Sequence, residues 1–144
     1  MLYALNNQPV VPKNQASVLY YLSWFSLISG IMGILYRYFL LGSIVCIGSA
    51  IAQKYWKDPR FNWWRLFDIV WVIMMTFLHG LTAFNSTRNI LYFSIQLIGI
   101  LFYILGWVAA MKNYNWIGTL CHAMVHVCAN VSIIILYVSP RIES

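Results

Sequence analysis

Acidic side chains are nearly missing from this sequence: three Asp or Glu stand in 144 residues. With nine Lys or Arg, charged residues reach 8%, against roughly 25% in a soluble domain. That shortage excludes an ordinary soluble globular protein, and the 62% hydrophobic content excludes disorder. Cysteine is scarce and odd in number. Cys46, Cys121 and Cys128 all fall in apolar runs, so no disulfide framework is expected and they read as small buried hydrophobes. There is no Gly-x-Ser-x-Gly elbow, no Cys-x-x-Cys, no phosphate-cradling glycine loop and no paired carboxylate. Soluble hydrolase and nucleotide-enzyme mechanisms therefore lack support.

What is abundant is aromatic and apolar. Aromatic residues make up 17% of the chain, which suits repeated anchoring at membrane interfaces. The net charge of +6 is spread over loops, with Lys54, Lys57, Arg60 and Arg65 the one cluster. It reads as topology signal and lipid-headgroup contact; no nucleic-acid partner is expected.

A spanning helix takes about 20 residues, so the chain has room for five or six and no separate soluble domain. The hydrophobic runs predict five spans: about Val18–Arg37, Phe39–Gln53, Trp64–Phe84, Ile90–Met111 and Trp116–Val138. Strict alternation, the mark of membrane β-strands, is absent. The expected fold is an all-α integral membrane bundle of about five transmembrane helices. It comprises a polar segment over 1–17, one transmembrane domain over 18–138 and a short tail over 139–144. No signal-peptide pattern is evident in the first 17 residues. The second span is short and follows the first after a tight bend at Arg37, so the two are also readable as a re-entrant hairpin.

Lys13, Lys54, Lys57, Arg60, Arg65 and Lys112 fall on the N-terminal side, and Arg37, Arg88 and Arg141 on the other. This asymmetry predicts a cytoplasmic N-terminus and an outside or lumenal C-terminus. The sequon Asn85-Ser86-Thr87 falls in a loop placed outside, close to the membrane. Small residues recur at helical spacing: Ser26, Gly30 and Gly33; Gly42 with Cys46; Gly48 with Ala52; and Gly99 with Gly106. Such faces let helix backbones approach closely. They are offered to other helices of the chain or to a homo- or hetero-oligomer.

Ionisable groups at membrane depth are costly and mark candidate sites. Here they are Asp68, His79, His122 and His126, with Ser43, Ser49, Gln53, Gln96 and Asn130 as neutral polar companions. His122 and His126 are four apart, so their imidazoles share one helix face. Neutral imidazole is a good zinc ligand, but a catalytic zinc takes three protein ligands and one open position. Asp68 and the two histidines lie within roughly 10 Å of one depth. Asp68 either faces those histidines or pairs with Arg65 one turn earlier. His79 follows Asp68 by close to three turns, about 16 Å deeper, and is a candidate to approach His126. Ser49 and Gln53 share the depth of Asp68.

In order, these residues form a pattern: Gly48-Ser49-Ala50-Ile51-Ala52-Gln53, then Trp64-Arg65-Leu66-Phe67-Asp68-Ile69, then Leu120-Cys121-His122-Ala123-Met124-Val125-His126. It resembles the membrane hydrolase superfamily of alkaline ceramidases and progestin/adipoQ receptors. The resemblance covers about Gly48 to Val138 through scattered positions. It implies a zinc ion near the cytoplasmic side, held by three histidines, that activates water to cleave a lipid amide. Carried over, His122 and His126 bind metal, Asp68 orients or deprotonates water, and Ser49 assists the oxyanion. The family has seven spans where this chain has about five. Gln53 stands where the family's first histidine follows the serine by four, which leaves Gln53 or His79 as third ligand.

The leading expectation is therefore a small multi-pass membrane protein of the zinc-dependent lipid amide hydrolase type, intact or degenerate, with membrane lipids as partners. The rival is a non-catalytic subunit of a larger membrane assembly. A channel would need a continuous polar path, and the sequence has one cluster near one side. A haem would need His79, because two histidines four apart cannot flank one haem.

Overall fold

The computed structural model describes residues 10–60, 62–113 and 115–140. Its five helices are α1 (Lys13–Leu35), α2 (Phe39–Lys57), α3 (Trp63–Ala83), α4 (Asn89–Met111) and α5 (Asn115–Tyr137). Each is long and apolar enough to cross a membrane. The protein is an all-α, multi-pass membrane bundle, as the hydrophobic runs predict.

Two boundaries differ from the sequence reading by more than two residues. Helix α1 starts at Lys13, inside the segment read as polar from 1 to 17; residues 1–9 of that segment lie outside the described residues. The reason is Pro12 at the N-cap, whose φ of −56° is already set for helix. Its carbonyl accepts from the amides of Gln15 and Ala16, both at 3.0 Å. Helix α2 runs four residues past Gln53 to Lys57, which makes it long and apolar enough for a full span. Lys54 and Lys57 lie in its last turn, where cations oppose the exposed carbonyl end of the helix dipole.

The bend between α1 and α2 is a Schellman turn. The Tyr38 amide donates to the Gly33 carbonyl at 2.8 Å and the Arg37 amide to Ile34 at 3.0 Å. Arg37 takes the left-handed position, φ 65°, that usually falls to glycine. The two helices then run back to back at glycine. A Cβ built on Gly42 would lie 2.6 Å from the Gly30 carbonyl oxygen and 2.7 Å from the Ile34 amide nitrogen. No side chain fits between these backbones.

Helix α5 lies along the same pair. Asn130 accepts from the Ser29 hydroxyl at 2.5 Å and donates to the Ser26 hydroxyl at 3.0 Å. One bundle end adds Thr119 Oγ1 donating to Gln15 Oε1 at 2.8 Å. Helix α4 packs on α5, with Gly99 against Cys128 and Gly106 against Cys121, and Gln96 donates to Ser132 at 2.8 Å. Helix α3 packs on α2, where Trp71 and Met75 cover Gly48 and the Trp71 indole donates to the Ile44 carbonyl at 2.9 Å. Helices α3 and α4 scarcely meet. A cleft therefore opens between them.

The small-residue stripes thus meet other helices of the same chain. Gly80 is different, with nothing within 4 Å of a Cβ built on it. The outward side chains of α3 and α4, such as Phe67, Ile73, Phe77, Ile100 and Leu101, are exposed and apolar, as a lipid-facing surface requires. Counting the antiparallel helices, Lys13, Lys54, Lys57, Arg60, Arg65 and Lys112 come to one end, and Arg37 and Arg88 to the other. Arg141 lies outside the described residues.

Gly42→Ala is expected to lose about 1–3 kcal/mol, because the two backbones must part. Gly80→Ala, facing open space, should leave stability unchanged or slightly raised. Unfolding of both variants by SDS titration in mixed micelles checks the pair.

Candidate functional site

At the bundle end that carries most of the basic residues, all five helices contribute to a cavity of about 520 Å³. Its walls are mainly apolar and aromatic, with Leu19, Ile69, Tyr103 and Trp107 among them. The polar groups on it include Gln15 from α1, Tyr55 from α2, Arg65 and Asp68 from α3, Tyr103 from α4, and Asn115, Thr119 and His122 from α5. The size and the balance of apolar wall to sparse polar groups suit a small-molecule site. Residues of α3 and α4 form two of its sides, where those two helices make little contact with each other. A second hollow, of about 560 Å³, lies at the opposite end beside Arg37, Tyr38, Thr82 and Asn85. Its lining contains no His, Asp, Glu or Cys, so the candidate chemistry sits with the first.

Asp68 and His122 both line this cavity. The alternative pairing of Asp68 with Arg65 is not formed; among the described residues the one ion pair is Arg60 with Asp58, at 2.9 Å. His122 and His126 lie with ring centroids 5.1 Å apart, as their spacing predicts. Behind them, the Nε2 of His126 is buried without a hydrogen-bond partner. Asn130, one turn further, is fully engaged with α1 and with the His126 carbonyl.

The remaining candidates are placed elsewhere or engaged. His79 is fully buried at the far end of α3. Its Nδ1 lies 2.8 Å from the Met75 carbonyl, which can only accept, so Nδ1 carries the hydrogen. Its Nε2 then accepts from the Tyr137 hydroxyl at 2.8 Å. Tyr137 follows His126 by eleven residues, about 16 Å along α5, so the expected approach of His79 to His126 does not occur. Both nitrogens are in use, and His79 supplies no third ligand. Ser49 is 1% exposed and does not line the cavity. Its hydroxyl donates to the Ser23 carbonyl of α1 at 2.5 Å. Gln53 Nε2 donates to Ser49 at 3.3 Å. The Ser49 hydroxyl, the candidate oxyanion group, thus ties α2 to α1, and Gln53, a candidate third ligand, bonds to Ser49 within α2.

These positions test the fit of a zinc ion. The unpartnered His126 Nε2 and the adjacent His122 supply two imidazoles. Among the described residues, no group of three His, Cys, Asp or Glu side chains could hold a metal ion. The donor set stops at two and does not complete the three-ligand arrangement of a catalytic zinc.

Two features escaped the sequence reading. Tyr55 and Trp56, in the last turn of α2, reach the cavity wall, and Trp56 meets His122 edge-on with centroids 5.3 Å apart. The Trp56 indole nitrogen is buried without a hydrogen-bond partner. In sequence it looks like any interfacial anchor, because its only signal is its position one turn past Gln53.

Tyr137→Phe strips the partner from a buried histidine nitrogen. It is expected to cost about 1–3 kcal/mol in micelle unfolding. It should leave metal and lipid content at wild-type levels, because His79 stands apart from the cavity.

No protein-family model matches the chain, and neither does any curated protein or solved structure.

Proposed function

We propose that this chain is a small membrane protein of the lipid amide hydrolase-like type that holds a lipid in the cavity between α3, α4 and α5. In this reading the hydrolytic centre of the resembling family is incomplete. The observation that carries the proposal is that Asp68 and His122 line one largely apolar cavity, walled in part by α3 and α4. An acyl chain leaves the bilayer between α3 and α4 and lies against Ile69, Tyr103 and Trp107. The headgroup comes to rest where Asp68 accepts hydrogen bonds and His122 donates or accepts. The low-dielectric wall strengthens both interactions.

The resemblance supports the lipid class through Ser49, Asp68, His122 and His126. The engaged states of Ser49, Gln53 and His79 support a binding role over a hydrolytic one. The excess of Lys and Arg at the cavity end supports an N-terminus in the cytoplasm, with the cavity near the cytoplasmic leaflet.

Native mass spectrometry of the detergent-purified protein is expected to show about one retained lipid per chain, as one cavity of this size allows. Ile69→Trp, which fills the cavity side of α3, should lower that occupancy severalfold; unchanged occupancy overturns the proposal. Zinc measured on the same samples decides the chemistry. About one zinc per chain, lost in a His122→Ala/His126→Ala double variant, would restore the hydrolytic reading. For orientation, a cysteine placed at Asn113 in a variant lacking the native cysteines should react with an impermeant maleimide only after the cytoplasmic face is opened.

A further inference from the structure

We infer that the hollow beside Arg37, at the bundle end opposite the first cavity, holds the phosphate of an anionic phospholipid, with Arg37 as its counter-charge. The inference does not depend on what occupies the first cavity.

Charge is one-sided at this end. The chain has three acidic residues. Asp58 follows α2 and Asp68 stands near the start of α3, both at the other end of the bundle. Glu143 lies outside the described residues. Among the described residues, the end with Arg37 and Arg88 therefore carries no carboxylate. Arg37 is the one charged residue on the wall of the hollow, and among the described residues it forms no ion pair. The turn between α1 and α2 fixes its backbone, because its amide donates to Ile34 and the next amide to Gly33.

The hydrogen-bonding groups lean the same way. A guanidinium donates and cannot accept. Asn85, also on the wall, adds a side-chain amide with two N–H donors. The Ser86 hydroxyl accepts from the Arg88 amide at 3.2 Å, which leaves its hydrogen to donate. The acceptors there, Thr82 and the Asn85 carbonyl, are neutral. A phosphate diester brings a full negative charge and oxygens that match the fork of a guanidinium.

The apolar part of the wall selects the source of that phosphate. Phe39, Leu40 and Leu81 line the hollow and are also exposed, as bilayer-facing side chains are. A phospholipid carries acyl chains that cover them, and free phosphate does not. A choline or ammonium headgroup would set a second cation beside Arg37, with no carboxylate among the described residues to receive it. An anionic headgroup is therefore favoured over a zwitterionic one.

The test is made in bilayers with a local reporter. In a chain whose native cysteines are replaced, Phe77→Cys carries a fluorophore. Phe77 lies one turn below Leu81 on α3, is exposed and is not part of the wall. Quenching by nitroxide-chain phosphatidylglycerol is compared with quenching by nitroxide-chain phosphatidylcholine. A preference of about threefold for the anionic lipid is expected, the scale of an exposed ion pair. Arg37→Asn removes the charge but keeps a residue that tolerates the left-handed turn, and should abolish the preference. Arg88→Gln removes a cation of the same end that does not line the hollow, and should keep it. Excess inorganic phosphate at matched ionic strength should leave the preference intact. No preference in the reporter chain overturns the inference, and so does a preference that survives in Arg37→Asn. A loss as large in Arg88→Gln replaces the site with diffuse surface charge and overturns it too. Loss with inorganic phosphate makes the occupant a soluble phosphate and overturns the lipid assignment. An Arg37→Asn chain that unfolds earlier than the reporter chain in SDS titration is replaced by Arg37→Gly, which is held to the same outcomes.

Discussion

The backbone contact between α1 and α2 is the constraint from which the rest follows. In a membrane the hydrophobic effect does not press helices together, so closeness comes from small residues and polar contacts. Gly30 and Gly42 let the two backbones touch. That closeness allows the Ser49 hydroxyl to reach across to the Ser23 carbonyl. The same register brings the last turn of α2, with Tyr55 and Trp56, to the side of α5 where His122 lies. Asn130 and Thr119 then fix α5 to α1. The cavity is therefore a product of three tightly joined helices. Helices α3 and α4 act as side walls, each fastened to one partner.

Much of this was legible in the amino-acid sequence. Five apolar runs became five helices, and His122 and His126 share a face because a helix turns in 3.6 residues. The common depth of Asp68 and His122 followed from counting along two parallel helices, and both do line one cavity. Boundaries were read less well where polar residues belong to helix: Lys13 to Ser17 are helical after Pro12, and Lys54 to Lys57 complete α2.

The hydrogen-bond partners were not legible. Tyr137 lies 58 residues from His79, and Ser23 lies 26 residues from Ser49. Neither pairing leaves a local signature, because it depends on which helix faces meet. Polar residues inside a membrane look alike in sequence whether they hold a ligand or a neighbouring helix. Of the six candidates, Ser49 and His79 bond to other helices and Gln53 bonds to Ser49 on its own helix, while Asp68 and His122 line the cavity and His126 packs beside His122. Trp56 was hidden for the opposite reason. Tryptophan is so common at interfaces that its unpartnered nitrogen stands out only once its surroundings are known.

The pairing of α1 with α5 also bears on how the chain is made. Gln15, Ser26 and Ser29 are inserted with the first helix, and their partners Thr119 and Asn130 arrive with the last. Until α5 is made, the Ser29 hydroxyl has the Ser26 carbonyl of its own helix, whereas the Gln15 amide and the Ser26 hydroxyl lack their α5 partners. Contacts this distant along the chain form slowly. The α1–α5 contacts therefore close only once α5 is made, and a chain cut short before α5 leaves Gln15 and Ser26 without these partners.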